Sequence, residues 1–196
     1  MPRVTAEEGK LRKPEGSGAR LNEGRIVPYT AMAPLWKPEP ITADVASIFH
    51  LAAVVSGMAE ADFALGMKIN VDASRLILEA CRHAGHRPRI VFASSVAVYG
   101  GAPSDTMRDD IAPTPRTSYG TQKAIGELLL NDYSRRGFVD GVGIRLPTIV
   151  VRPGKPNLAA SGFFSNILRE PLSGKEAVLP VSRDVRHWFA SPRAAV

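Results

Sequence analysis

The spacing of apolar positions divides the chain near residue 43. Before that point the few aliphatic residues, Val4, Leu11, Leu21, Ile26, Val27 and Leu35, follow neither the strand period nor the helix period. Six prolines and four glycines fall within the first 40 positions, and prolines at 28, 34, 38 and 40 would repeatedly break the backbone hydrogen bonding of any long element. Residues 1–42 are therefore expected to form an atypical, disordered or loosely attached segment.

From Ala43 the texture changes. Residues 45–53 form an almost wholly apolar run, as expected of a strand buried on both faces. Residues 66–84 read as a helix with Ile69, Leu76, Ile77, Ala80 and Cys81 on one face and Lys68, Asp72, Arg75, Glu79 and Arg82 on the other. Gly85 and Pro88 are stop signals before a second buried strand at 89–94. A Pro/Asp-rich loop (102–117) precedes a helix at 118–136 and a third apolar strand at 143–150. A short helix at 161–169 and a short strand at 177–181 complete the reading. Strand, helix, strand, helix, strand predicts an α/β fold with a parallel sheet and right-handed crossovers. The expected division is a core at 43–152 and a further region at 153–196.

Composition narrows the class. The chain has 196 residues, 44% hydrophobic and 22% charged, within the range of globular proteins. No stretch is long and apolar enough to predict a membrane span, and the N-terminus does not read as a secretory leader. A single cysteine, Cys81, excludes an internal disulfide and a Cys-rich zinc module; on the apolar helix face it reads as a core residue. No metal site is expected, and the expected compartment is cytoplasmic. The formal charge of +6 is spread along the chain without interleaved aromatics, a mildly basic surface rather than a nucleic-acid footprint.

The candidate chemistry lies at the second strand's carboxyl end and in the following helix. Tyr119 and Lys123, four apart, share one helix face, while Ser95 stands where parallel sheets place their ligands. A tyrosine with a pKa near 10 is a poor base at neutral pH, but an ammonium and a cationic nicotinamide ring stabilise its phenolate. A serine hydroxyl can hydrogen-bond the oxygen that gains or loses the proton. Ser95, Tyr119 and Lys123 thus make a candidate catalytic group for hydride transfer at a carbinol. A Tyr-x-x-x-Lys pair alone is also compatible with an ordinary solvated helix turn.

The order of motifs is more specific: His50-Leu51-Ala52-Ala53, Asn70, Ser94-Ser95-Val96-Ala97-Val98-Tyr99-Gly100, then Tyr119 and Lys123. Residues 44 to about 190 resemble the extended short-chain dehydrogenase/reductase superfamily of NAD-dependent epimerases, dehydratases and sugar dehydrogenases. The segments Ala52-Ala53-Val54-Val55-Ser56-Gly57, Ser118-Tyr119-Gly120-Thr121-Gln122-Lys123, Arg145-Leu146-Pro147-Thr148, Arg152-Pro153-Gly154-Lys155-Pro156-Asn157 and Arg186-His187-Trp188 look most like its D-erythronate dehydrogenase subfamily.

The resemblance implies a partial Rossmann-like doubly wound sheet, NAD as cofactor and a small sugar acid as substrate. It also implies a homodimer. Tyr119 would be the general base, Lys123 would hold the nicotinamide ribose and lower the Tyr119 pKa, and Ser95 would orient the substrate hydroxyl. Leu51, Ala52 and Ala53 would pass beside the cofactor. Asn70 would contact it or hold the nearby backbone, or be an ordinary helix cap. Pro147 would flank the nicotinamide, or simply end a strand. Arg152, Lys155 and Arg186 are candidate cations for the carboxylate. Arg186 is preferred because guanidinium pairs bidentately with carboxylate and His187 and Trp188 suit a pocket wall. His50 reads as a strand-end residue packed near the cofactor.

One part of the family pattern is missing. A Gly-x-x-Gly-x-x-Gly turn between a first strand and helix, followed by an acid for the adenosine ribose, is not found. The nearest match, from Gly137 to Gly143, follows a helix and precedes a strand. The resemblance implies three strands and two helices before the strand at 44–52, on the order of 60 residues at roughly 30 per βαβ unit. This sequence has 43 there, and a member of the superfamily would also continue past Val196. The expected function is an NAD-dependent oxidoreductase acting on the hydroxyl next to a sugar-acid carboxylate, with weakened cofactor affinity. Nucleotide-sugar epimerase or dehydratase chemistry is one alternative, and a non-catalytic remnant or binding module is another.

Overall fold

The computed structural model describes residues 41–100, 108, 110–151 and 159–195. Strand β1 (Ser47–His50) leads through extended backbone at 51–55 into α1 (Ser56–Ala61) and α2 (Phe63–Gly66). A π-helical stretch, Met67–Asp72, joins α2 to α3 (Ala73–Ala84). Strand β2 (Arg89–Ser95), a 3₁₀ turn (Val96–Val98), α4 (Ser118–Arg135) and β3 (Asp140–Leu146) follow. Beyond them lie β4 (Thr148–Ile149), a 3₁₀ turn (Ala160–Gly162), α5 (Phe163–Leu172) and β5 (Phe189–Ala190).

The sheet has the order β1-β2-β3 with every pair parallel, the predicted architecture. Because side chains alternate across a strand, the register puts Ile48, Ile90 and Gly141 on one face and Phe49, Val91 and Val142 on the other. The first face carries the core: Leu78 and Cys81 of α3 and Leu130 of α4 pack with Ile90, Phe92 and Val139. On the second face Phe49 is 67% exposed, Val142 42% and Ile144 46%, so the strands are not buried on both sides as predicted.

Local signals explain most boundaries. Gly85 ends α3 with φ at 72°, its N–H donating to the Cys81 carbonyl at 3.2 Å. A side chain there pays the steric penalty of the left-handed region, so Gly85→Ala is expected to cost about 1–2 kcal/mol of stability, read from the midpoint of urea unfolding. Thr117 caps α4 by accepting from the Gly120 N–H at 3.1 Å.

Several expectations need correction. β1 is shorter than the apolar run at 45–53 because only Ser47–His50 finds ladder partners on β2. The helix predicted to start at Gly66 begins at Phe63 and contains the π stretch, and the short helix α1 was not predicted. The third strand begins at Asp140 and stops at Leu146, since Pro147 has no N–H to continue the ladder. Thr148–Ile149 then pairs in parallel with Phe189–Ala190 in a second sheet. The helix expected at 161–169 runs to Leu172, with Pro171 in its last turn. The predicted strand at 177–181 does not form; Val178 is 73% exposed there, and Pro180 cannot donate to a ladder. Of the segment assigned to residues 1–42, residues 1–40 lie outside the described residues.

Candidate active site

Ser95 ends β2, and its Oγ accepts from the Ala97 N–H at 3.1 Å. Its side chain also faces the Tyr119 phenol and favours that phenol's ionised form. The two meet because the start of α4 is pressed against the 3₁₀ turn after β2. A Cβ on Gly120 would lie 2.1 Å from the Ala97 carbonyl oxygen, so no side chain fits between them. One turn along α4, Lys123 is 2% exposed and donates from Nζ to the Ala93 carbonyl at 2.7 Å. Its ammonium stands 4.8 Å from the Phe92 ring centre and 5.7 Å from that of Tyr119.

Burial governs the electrostatics. It pushes the Tyr119 phenol above its ordinary 10.0, with the hydrogen bond from Ser95 acting in the opposite direction. Burial lowers Lys123 from 10.5 to about 8. Desolvation, opposed by Ser95 and not by Lys123, thus sets the direction of the Tyr119 shift. Below pH 8 the folded chain carries a desolvated ammonium. Between about 8 and 10.5 the folded state loses that proton while the unfolded chain keeps it, so this group's contribution to stability rises with pH. Lys123→Met removes the dependence. Its advantage over the native chain in urea midpoint is expected to shrink from pH 7 to pH 10, at no more than about 1.4 kcal/mol per pH unit.

Asn70 is 2% exposed on the π stretch, where the widened turn redirects its side chain. It is no helix cap: Oδ1 accepts from the Val54 N–H at 2.9 Å, and Nδ2 donates to the Val54 carbonyl at 3.2 Å and to Gln122 Oε1 at 2.7 Å. Asn70 therefore grips the backbone immediately after Leu51, Ala52 and Ala53, of which Leu51 is 66% exposed and open to a covering group. His50 is buried; its Nε2 lies 2.8 Å from Ser74 Oγ, which donates to the Asn70 carbonyl. Since that hydroxyl proton is already used, Nε2 must carry the shared proton. Burial, helped by the nearby Lys123 charge, lowers His50 to about 4, so it is neutral and structural. Cys81 is a fully buried core residue whose thiol burial raises to about 11.

Pro147 sits between β3 and β4, beside the site-bearing strand ends. Arg186 is exposed on the loop before β5. Its neighbours form an aromatic wall: His187 stacks on Phe164 with ring centres 4.8 Å apart and places Nε2 2.7 Å from Thr148 Oγ1. Trp188 reaches the Tyr99 ring at 6.4 Å. Arg152 and Lys155 lie outside the described residues.

Sequence reasoning missed the network beneath the site. Glu127 accepts from Ser94 Oγ at 2.5 Å and from Arg145 Nε and Nη2 at 3.0 and 2.7 Å, and Arg145 Nη1 donates to the Tyr99 hydroxyl at 2.5 Å. Glu127 stands four residues after Lys123, a spacing that invites pairing with that lysine, yet its partner is the guanidinium of β3. The signal available was a carboxylate on the buried face of α4.

For the pyrophosphate half of a dinucleotide the described residues offer no glycine-rich turn between strand and helix. The Gly137–Gly143 match spans the end of α4 and the start of β3, the reversed context expected. No group of three or more His, Cys, Asp or Glu among the described residues could hold a metal.

A Rossmann-like parallel sheet with Ser, Tyr and Lys gathered at its strand ends defines a short-chain type of oxidoreductase or epimerase framework. The chain belongs to the NAD dependent epimerase/dehydratase family, which it matches over residues 35–190. It is 60% identical over 172 residues to D-erythronate dehydrogenase of Cupriavidus necator, covering 88% of this chain and 53% of that protein. Identity to the Haemophilus influenzae D-erythronate dehydrogenase is 55% over 158 residues, 81% of this chain and 50% of that one. The chain spans about half the length of these curated relatives. Among solved structures, a nucleoside-diphosphate-sugar epimerase from Agrobacterium tumefaciens superposes with a TM-score of 0.71 at 64% identity, covering 76% of this chain and 45% of that one.

Proposed function

We propose that the chain carries the catalytic part of an NAD-dependent sugar-acid dehydrogenase resembling D-erythronate dehydrogenase, which oxidises the hydroxyl next to the carboxylate. The gathering of Ser95, Tyr119 and Lys123 at the carboxyl ends of parallel strands, with Lys123 Nζ 5.7 Å from the Tyr119 ring centre, carries the reading. Bound NAD would supply the hydride acceptor. As the phenolate that the cationic nicotinamide ring would favour, Tyr119 would take the substrate hydroxyl proton at its phenolic oxygen, while the carbinol carbon gives its hydride to NAD and Ser95 holds the hydroxyl in line. Lys123 uses one N–H on Ala93 and has further donors for the ribose hydroxyls. The Leu51–Ala53 backbone, anchored through Asn70, lies along the cofactor, and Pro147 closes the nicotinamide side. Arg186 receives the carboxylate.

The described residues fit the nicotinamide half of NAD and, among them, none serves the pyrophosphate half, so affinity should be low for this chain alone. The same proposal places the core at 43–152, the start of a substrate-binding region at 153–196 and a cytoplasmic homodimer. Among the described residues no helix is long and apolar enough to cross a membrane.

Fusing the part of the Cupriavidus relative that precedes its counterpart of residue 41 ahead of that residue, and following NADH absorbance with four-carbon sugar acids, tests the reading. Activity only with nucleotide sugars would favour the epimerase alternative, which the likeness to the Agrobacterium structure supports. For the fused chain, a ligand at 100 times its dissociation constant adds about 2.7 kcal/mol of stability. The absence of any thermal shift at millimolar NAD in that form would favour a non-catalytic remnant.

A further inference from the structure

Gln122 lies between Tyr119 and Lys123 in sequence and is 1% exposed, yet its position has no assigned role in the chemistry above. Its amide orientation follows from its neighbours. Asn70 Oδ1 is occupied by the Val54 N–H, and both Asn70 amide protons are donated, one to the Val54 carbonyl and one to Gln122. Only an acceptor can face Asn70 Nδ2, so Gln122 must present Oε1 there. Its Nε2 is then turned toward Gly66 and has no hydrogen-bond partner among the described residues; a Cβ on Gly66 would lie 2.5 Å from it. A buried, unpartnered N–H is a cost that an apolar side chain of the same size would avoid. The acceptor is what this position supplies.

We propose that Gln122 is a positioning residue that sets the distance between the backbone at 51–54 and the catalytic helix. It does so through Asn70, which joins the Val54 peptide, the π-helical stretch and α4 in one buried chain of hydrogen bonds. The inference rests on the proposed NAD-dependent reading. It adds a link between the cofactor-facing backbone and the two residues that handle the proton and the ribose.

The test compares the native chain with Gln122→Met, which keeps the volume and loses the acceptor, and Gln122→Glu, which restores an acceptor. Exchange of the Val54 amide proton is followed by NMR, NAD affinity by calorimetry in the fused form, and fold by circular dichroism and thermal unfolding. The Met variant should stay folded while Val54 exchange accelerates by about tenfold, equivalent to ~1.4 kcal/mol, with weakened NAD binding. The Glu variant should return Val54 protection toward the native level. Unchanged Val54 exchange and NAD affinity in a folded Met variant would overturn the proposal, as would failure of Glu to restore protection. If the Met variant does not fold, the Glu variant decides: native-like Val54 protection supports the role, and its loss refutes it. Absence of NAD binding by the fused form with native Gln122 would sink the cofactor reading, and Val54 exchange alone would then decide the part played by Gln122.

Discussion

Glu127→Ala is expected to destabilise the chain by about 3 kcal/mol, the lower end of the ~3–5 kcal/mol typical when one partner of a buried ion pair is removed. The lower end applies because the Arg145 side chain keeps 26% of its exposure while that of Glu127 keeps 10%. The loss leaves the guanidinium without its two-point carboxylate and Ser94 without its acceptor, so β2, α4 and β3 lose their common polar junction. Urea unfolding should show a lower midpoint with an unchanged slope. The double variant Glu127→Leu/Arg145→Met should recover most of the loss, because the cost lies in the stranded charge rather than in the missing attraction. Equal loss in the double variant would show that packing, not charge, is at stake.

Tyr119→Phe should remove the proposed reaction while leaving the fold intact. A positioned general base contributes about 10²–10⁴-fold, and the phenolic oxygen is the only atom deleted. In the fused, NAD-binding form the turnover number should fall by that factor with little change in NAD affinity, since Lys123 and the backbone at 51–53 remain. Comparable loss of affinity would move Tyr119 from proton transfer to binding.

What the sequence made legible was local or periodic. The apolar run at 89–94, the helix stop at Gly85 and the one-turn spacing of Tyr119 and Lys123 all depend on neighbours within a few residues, and the structure has them. What it concealed depends on partners far along the chain. Glu127 chose Arg145, 18 positions away, and Ser94, 33 away, over the lysine one turn back. Pro147 was readable as a strand terminator, but not the pairing of Thr148–Ile149 with Phe189–Ala190. The run at 177–181 had strand-like residues and no ladder to join. Asn70 was ambiguous because a π turn, which re-aims a side chain toward a distant backbone, has no clear sequence period.

The all-parallel pairing also governs how the chain folds. Arg89 meets Asp140 across 51 positions, and Ser47 must find Arg89 past three intervening helices. Parallel contacts of such separation close long loops before any pairing energy is gained, whereas helical turns form locally and fast. The helices α3 and α4 are therefore expected early and the sheet late. During synthesis Ile90 and Phe92 wait for Asp140–Leu146 to leave the ribosome, so the strand ends that hold Ser95 and Pro147 come together in the closing step.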